Sequence, residues 1–108
     1  MRRFTSLRRQ ADFARLRRQG RRVTTKSLVI YRSDPLSGDT SSLVGITVSK
    51  SIGKSVIRNK VRRRLAAILH DALASHPAMR VLLVVRPAAA GAVYRELQAE
   101  LVSALAKA

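Results

Sequence analysis

Between Asp39 and Asp71 the chain has no acidic residue, while residues 50–64 alone carry seven bases: Lys50, Lys54, Arg58, Lys60, Arg62, Arg63 and Arg64. In the same region Ile57, Val61, Leu65, Ile68 and Ala72 recur at spacings of three and four, the pattern of a helix with one apolar stripe. Together these features constrain the fold. The stripe demands a partner surface, and the pairs 58/62, 59/63 and 60/64, basic at every position but Asn59, lie beside it. Like charges four apart repel by about 0.2–0.5 kcal/mol per pair when no counter-ion is near. The helix must therefore be docked on one side and offered to an anion on the other. Asn59 is the neutral polar residue in this row, able both to donate and to accept.

The rest of the chain is read around that helix. Residues 9–19 predict a helix stopped at Gly20. Residues 27–32 and 43–49 are rich in β-formers, Val23 marks a short extra strand, and residues 33–39 form a turn-rich loop. A short link, 50–54, leads into the basic helix at 55–74, which Pro77 bounds. Residues 80–86, RVLLVVR, are nearly all apolar and predict a central strand. Residues 91–106 predict a last helix with a stripe of Val93, Leu97, Leu101 and Leu105. The order is α-β-β-(β)-α-β-α, an α+β two-layer sandwich. At 108 residues this is one domain, 1–108, with residues 1–6 expected as a flexible basic tail.

Twenty-two Lys and Arg against six acids give a net charge of +16. Nine of the Arg lie in residues 1–22, opposed only by Asp12. Such a field points to a polyanion, nucleic acid before a membrane surface. Membrane-binding basic helices carry bulky aromatic anchors, and this chain has two Phe, two Tyr and no Trp. No apolar run approaches the ~18 residues of a membrane span. The basic start has no apolar run behind it and flows straight into a helix, so neither a secretory signal nor a transit leader is expected, and the cytoplasm is the expected compartment. Without Cys there is no disulfide or thiolate metal site.

Few residues suggest bond-making chemistry. Gly53-Lys54-Ser55 resembles the end of a phosphate-binding loop, but the position five before Gly53 is Val48, not Gly, so no nucleotide site is expected. Two readings remain: helix-terminal amides beside Lys54 that hold a backbone phosphate, or a plain turn with Ser55 as N-cap. His70 and His76 lack the spacing of a metal pair, and the acids stand singly. No catalytic residue is expected in the protein. Phe13, flanked by Arg15, Arg17 and Arg18, and Tyr31 on the next strand can stack on unpaired bases. Core packing is the other reading of Phe13.

The stretch VGITVSKSIGKSVIRNKVRR, residues 44–63, closely resembles the signature of the bacterial ribonuclease P protein family, whose most specific part is the Arg58-Asn59-Lys60 helix. Leu7, Asp12-Phe13, Gly20, Tyr31, Val84-Val85-Arg86-Pro87 and Tyr94-Arg95-Glu96-Leu97 extend the resemblance over about residues 4–106. It implies a fold similar to the second domain of ribosomal protein S5, with a left-handed βαβ crossover against the usual right-handed rule. It implies a subunit of a ribonucleoprotein that removes the 5′ leader of precursor tRNA, with catalysis and Mg²⁺ belonging to the RNA subunit and one protein per RNA. By the same resemblance Lys50, Lys54, Arg58, Asn59, Lys60, Arg62 and Arg63 dock on the catalytic RNA. Phe13, Arg17, Tyr31, Val29, Thr47 and Ser49 form the cleft that guides the leader. Asn59 and Asp12 are the weak candidates for metal contact, and no protein metal site is assigned.

This chain departs from the family pattern at Lys60, Ser51, Ala66, Arg17 and Leu28, where the pattern has Arg, Lys, Arg and two aromatics. The last two departures predict a thinner stacking surface, with the Arg17 guanidinium as a substitute. Composition leaves two alternatives: a non-catalytic RNA-binding module, and a protein-only nuclease, for which no cluster of acids or His is found. A chain so charged is expected to gain stability from anions that bind only its native state. Millimolar sulfate, too dilute for general salting-out, should raise the melting temperature above that in chloride of equal ionic strength; equal melting temperatures would contradict this.

Overall fold

The structure, a computed structural model, describes residues 4–108. It has the elements β1 (Phe4–Ser6), α1 (Gln10–Gln19), β2 (Arg21–Thr24), β3 (Leu28–Ser33), β4 (Ser42–Thr47), α2 (Ser55–Ala72), β5 (Arg80–Val85) and α3 (Tyr94–Lys107). Short 3-10 turns occupy Lys50–Ile52, Leu73–Ser75 and Pro87–Gly91. The five strands form one mixed sheet in the order β1-β4-β5-β3-β2. β1 and β5 flank β4 in parallel, and β3 pairs antiparallel with both β5 and β2. α2 is thus the crossover between the adjacent parallel strands β4 and β5.

Side-chain alternation along β5 divides the core in two. Val81, Leu83 and Val85 turn with Leu28, Ile30 and Val44 toward α2 and α3. There they meet Val61, Leu65, Ile68 and Leu69 of α2 and Leu97, Leu101 and Leu105 of α3. A 14-residue helix such as α3 is marginal alone. Burying each of its three Leu contributes about 1.5–3 kcal/mol, enough to hold it in place. Leu82 and Val84 turn the other way, toward a smaller cluster with Leu7, Leu16, Phe13, Tyr31 and Leu43. The principal sandwich is therefore α2 and α3 on the sheet, and α1 adds a partial layer on the opposite face.

Four differences from the sequence reading have local causes. Phe4–Ser6, expected in a flexible tail, form the edge strand β1, because Phe4 is buried and the segment pairs with Ser42–Val44; residues 1–3 lie outside the described residues. Ser55 is not the N-cap: Lys54 holds that position, extended and without a side-chain cap bond, and Ser55 is the first helical residue. The last helix begins at Tyr94, after Pro87 has started a separate 3-10 turn, so Val93 is exposed and outside the stripe. Ile57 is partly exposed too, packing on Gly53, whose φ of 150° a residue with a Cβ rarely adopts.

Three polar ties fix the elements. Arg80, nearly buried on β5, donates from Nε to Asp39 Oδ2 at 2.9 Å, from Nη2 to Asp39 Oδ1 at 3.1 Å and from Nη1 to Asp12 Oδ1 of α1 at 3.0 Å. Glu100 on α3 accepts from the Ser27 amide and hydroxyl, both at 2.9 Å. Arg32 donates to the Leu105 carbonyl at 2.8 Å, satisfying an end of α3 where positive charge is favoured. The Arg80 hydrogen bonds, helped by the Leu36 amide, hold the Asp39 carboxyl below its usual range. Burial pushes Glu100 up, but the Ser27 amide, the Thr25 and Ser27 hydroxyls and nearby Lys26 outweigh it and leave the carboxyl lowered.

Both carboxylates thus favour the folded state above their ordinary pKa values of about 4, and that stability is lost as pH falls below them. In urea unfolding between neutral pH and about pH 3, the Asp39→Asn, Glu100→Gln double variant should be less stable at neutral pH and lose less on acidification than the parent chain. Parallel curves would assign the acid sensitivity elsewhere.

Candidate nucleic-acid interface

The site is built around Phe13, in the second turn of α1. Its ring lies against the backbone of Gly45 on β4: a Cβ there would stand 2.5 Å from the ring edge. The absence of a side chain in mid-strand therefore seats the ring on the sheet. Sheet register sets what surrounds it. Tyr31, Leu82 and Gly45 form one cross-strand row, and Val29, Val84 and Thr47 the next. α1 covers the first row and leaves much of the second open.

Two cavities adjoin Phe13. The first, of about 390 Å³, lies beside α1 and is lined by Gln10, Phe13, Ala14, Arg17 and Thr47. The second, of about 460 Å³, wraps around the edge of β4 toward α2. Phe4, Leu7, Phe13, Ile46 and Ala66 supply its apolar wall, and Asn59, Arg62 and Arg63 its polar rim. Arg62 Nη1 donates to Asn59 Oδ1 at 3.4 Å, a long bond that keeps the two side chains together. Neither cavity has an acidic residue in its lining.

The predicted basic residues thus separate by helix face. Asn59, Arg62 and Arg63 turn toward Phe13. Lys60 is exposed on the other flank of α2, the side on which Arg64 donates to the Ala92 carbonyl at 3.1 Å. Arg58 is half-buried, with its Nε enclosed and unpaired. Lys50 lies in the 3-10 turn before α2 and Lys54 at its N-cap, where the first turn holds no acid.

Of the predicted cleft residues, Phe13, Arg17 and Thr47 line one cavity together. Val29 shares the Thr47 row. Tyr31 packs into the small cluster under α1, and Ser49 lies beyond the end of β4, its hydroxyl 2.6 Å from that of Ser51. Phe13 packs on the minor core, as the second of its two readings expects, and it also walls both cavities. Leu28 does not thin the cleft: it is fully buried on the opposite face, against α2 and α3. Gly45 and Ala66 were missed by sequence reasoning. The lone Gly inside the strand-forming run 43–49 was the available signal for the first; Ala66 carried none, beyond its departure from the family pattern.

The acids do not suit a metal. Asp12 and Asp39 are committed to Arg80, and among the described residues no three His, Cys, Asp or Glu side chains gather to hold an ion. His70 and His76 line neither cavity. No helix among the described residues is long and apolar enough to cross a membrane.

The family described as Ribonuclease P matches residues 1–108. A relative from Acidothermus cellulolyticus, named ribonuclease P protein component, is 40% identical over 95 residues, covering 87% of this chain and 79% of its own. One of the same name from Thermobifida fusca is 40% identical over 106 residues, covering 92% and 72%. Among solved structures, the ribonuclease P protein of Staphylococcus aureus superposes with a TM-score of 0.81 at 27% identity, covering 93% of this chain and 91% of that one.

The seating of Phe13 can be tested directly. Gly45→Val should force the ring off the sheet, shifting its NMR signals and lowering stability to urea by about 1–3 kcal/mol, as overpacking does. Unmoved ring signals would show that Gly45 does not set the ring's position.

Proposed function

Because this chain belongs to the ribonuclease P protein family, and so is a subunit of the ribonucleoprotein that processes tRNA, we propose that it works by binding two RNA segments on either side of Phe13. The observation that carries the reading is that this one ring walls both an acid-free cavity rimmed by the basic helix and the cleft beside α1. On the first side, Lys50, Lys54, Arg58, Asn59, Arg62 and Arg63 dock on the catalytic RNA, and Lys60 meets it from the outer flank of α2. Cationic side chains and the uncapped amides at the start of α2 suit backbone phosphates, which position a partner without reading its sequence. On the second, Phe13, Arg17 and Thr47, with Val29, Tyr31 and Ser49 at the margins, guide the single-stranded 5′ leader of precursor tRNA.

In this reading the RNA performs the hydrolysis and holds the Mg²⁺, one protein serves one RNA, and the complex works in the cytoplasm. The scattered acids of this chain support that division, and no step is assigned to a protein-bound metal. The protein neutralises phosphates near the scissile bond and keeps the leader extended. It thereby lowers the Mg²⁺ concentration the complex needs.

The test is cleavage of a 5′-extended precursor tRNA at low millimolar Mg²⁺ by the protein, a bacterial catalytic RNA, and both. Cleavage at the mature 5′ end only with both is expected. Cleavage by protein alone would return the chemistry to the protein, and RNA binding without stimulation would leave a generic RNA-binding module. Arg58→Ala with Arg62→Ala should weaken RNA association and flatten its salt dependence by about one unit of slope per lost phosphate contact; an unchanged slope would remove the basic helix from the interface.

A further inference from the structure

The larger cavity has a feature that phosphate binding does not use. β1 covers β4 only as far as Val44: the pairing ends at Ser6↔Val44, and the Leu7 amide donates to the Val44 carbonyl at 2.9 Å. On the other side of β4 the Leu43 amide donates to Met79, ahead of β5, at 3.0 Å. Backbone groups of alternate residues point to alternate edges of a strand, so the N–H and C=O of Ile46 point the same way as those of Val44. There β1 has already ended, and no described residue continues the ladder. Ile46 lines the cavity, which thus contains a main-chain donor and acceptor side by side, the Phe13 ring, an apolar wall and a cationic rim.

We infer that this cavity is a seat for one unstacked nucleobase of single-stranded RNA, held by the open edge of β4 at Ile46, with its flanking phosphates on Arg62 and Arg63. The occupant follows from complementarity. A volume of about 460 Å³ lies within the range of small-ligand sites, about 300–1,000 Å³. An acid-free rim bearing two guanidinium groups favours an anionic ligand over an extended peptide, which would also suit an open strand edge. Every base offers a donor next to an acceptor on its Watson–Crick edge, which matches the Ile46 pair, so the seat is tolerant of sequence. Ala66 leaves the space: it stands one helical turn beyond Arg62, where a longer side chain would enter the cavity.

The inference rests on the RNA-binding reading above and names a contact within it. The base comes either from the leader or from the catalytic RNA, and the two sources are separable. The probe is a pair of short single-stranded RNAs of equal charge, one of ordinary nucleotides and one with abasic sites. The parent protein should bind the base-bearing strand at least about fivefold more tightly, the lower end of what one base contributes on an aromatic platform. Ala66→Leu should reduce that ratio while leaving the salt slope unchanged, because Arg62 and Arg63 remain. Ala66→Met, more adaptable, repeats the test, and the melting temperature of each variant establishes that it is folded.

In the reconstituted complex, a loss in Ala66→Leu confined to leader-bearing substrate assigns the seat to the leader. A loss in affinity for the catalytic RNA itself assigns it to that partner. If folded variants keep the parent ratio, or if the parent binds both strands equally, the seat does not exist. Normal cleavage by the parent complex in the same series would show that the subunit role stands regardless.

Discussion

β5 lies in the middle of the sheet with almost every residue buried, so both of its faces must be covered, and the remaining architecture follows from how that is done. One face is covered completely, by α2 and α3 over the large core cluster. The other is covered only in part, because α1 is ten residues long and spreads its few apolar groups over the first cross-strand row. What α1 leaves open is the cleft, and what β1 leaves open, by being three residues long, is the edge of β4. Both openings result from incomplete cover of a sheet that is otherwise closed.

The excess of positive charge divides into two kinds of residue. Arg32, Arg64, Arg80 and Arg86 are occupied within the fold, donating to carbonyl oxygens or to the carboxylates of Asp12 and Asp39. Arg80 serves the site indirectly: by tying α1 to β5 it holds Asp12, and with it the neighbouring Phe13, over Gly45. Arg62 and Arg63 have no carboxylate near them among the described residues and stand exposed at the cavity rim, where desolvation is small and an arriving phosphate replaces only water.

Much of this organisation was legible in the chain itself. The apolar stripe of α2, the basic residues beside it, the all-apolar β5 and the Gly that ends α1 are local patterns, written within a few turns or a few residues, and each element lies within a few residues of where they place it. The resemblance around residues 44–63 carried the family, because it depends on residue identity along a continuous segment. Phe13 and the Asn59, Arg62, Arg63 row, which line one cavity, were legible as candidates for the same reason: an aromatic among arginines and a helix face without acids are visible one segment at a time.

What was not legible depends on partners distant in sequence. Phe4–Ser6 is a strand only because Ser42–Val44 offers it an edge, and no property of three residues announces that. Leu28 and Tyr31 sit three apart and so face opposite sides of β3, but which of them meets the larger core is decided only by the pairing with β5, which sends Leu28 there. Lys60 belongs to the basic run in the sequence, yet the docking of α2 turns it away from Phe13, while Ala66, chemically silent, becomes part of a cavity wall. Periodicity and composition establish which segments are helix, which are strand and where positive charge gathers, since these depend on near neighbours. The tertiary structure alone decides which bases remain free, which rings reach solvent and where the sheet stays open, because burial and register are properties of contacts between segments.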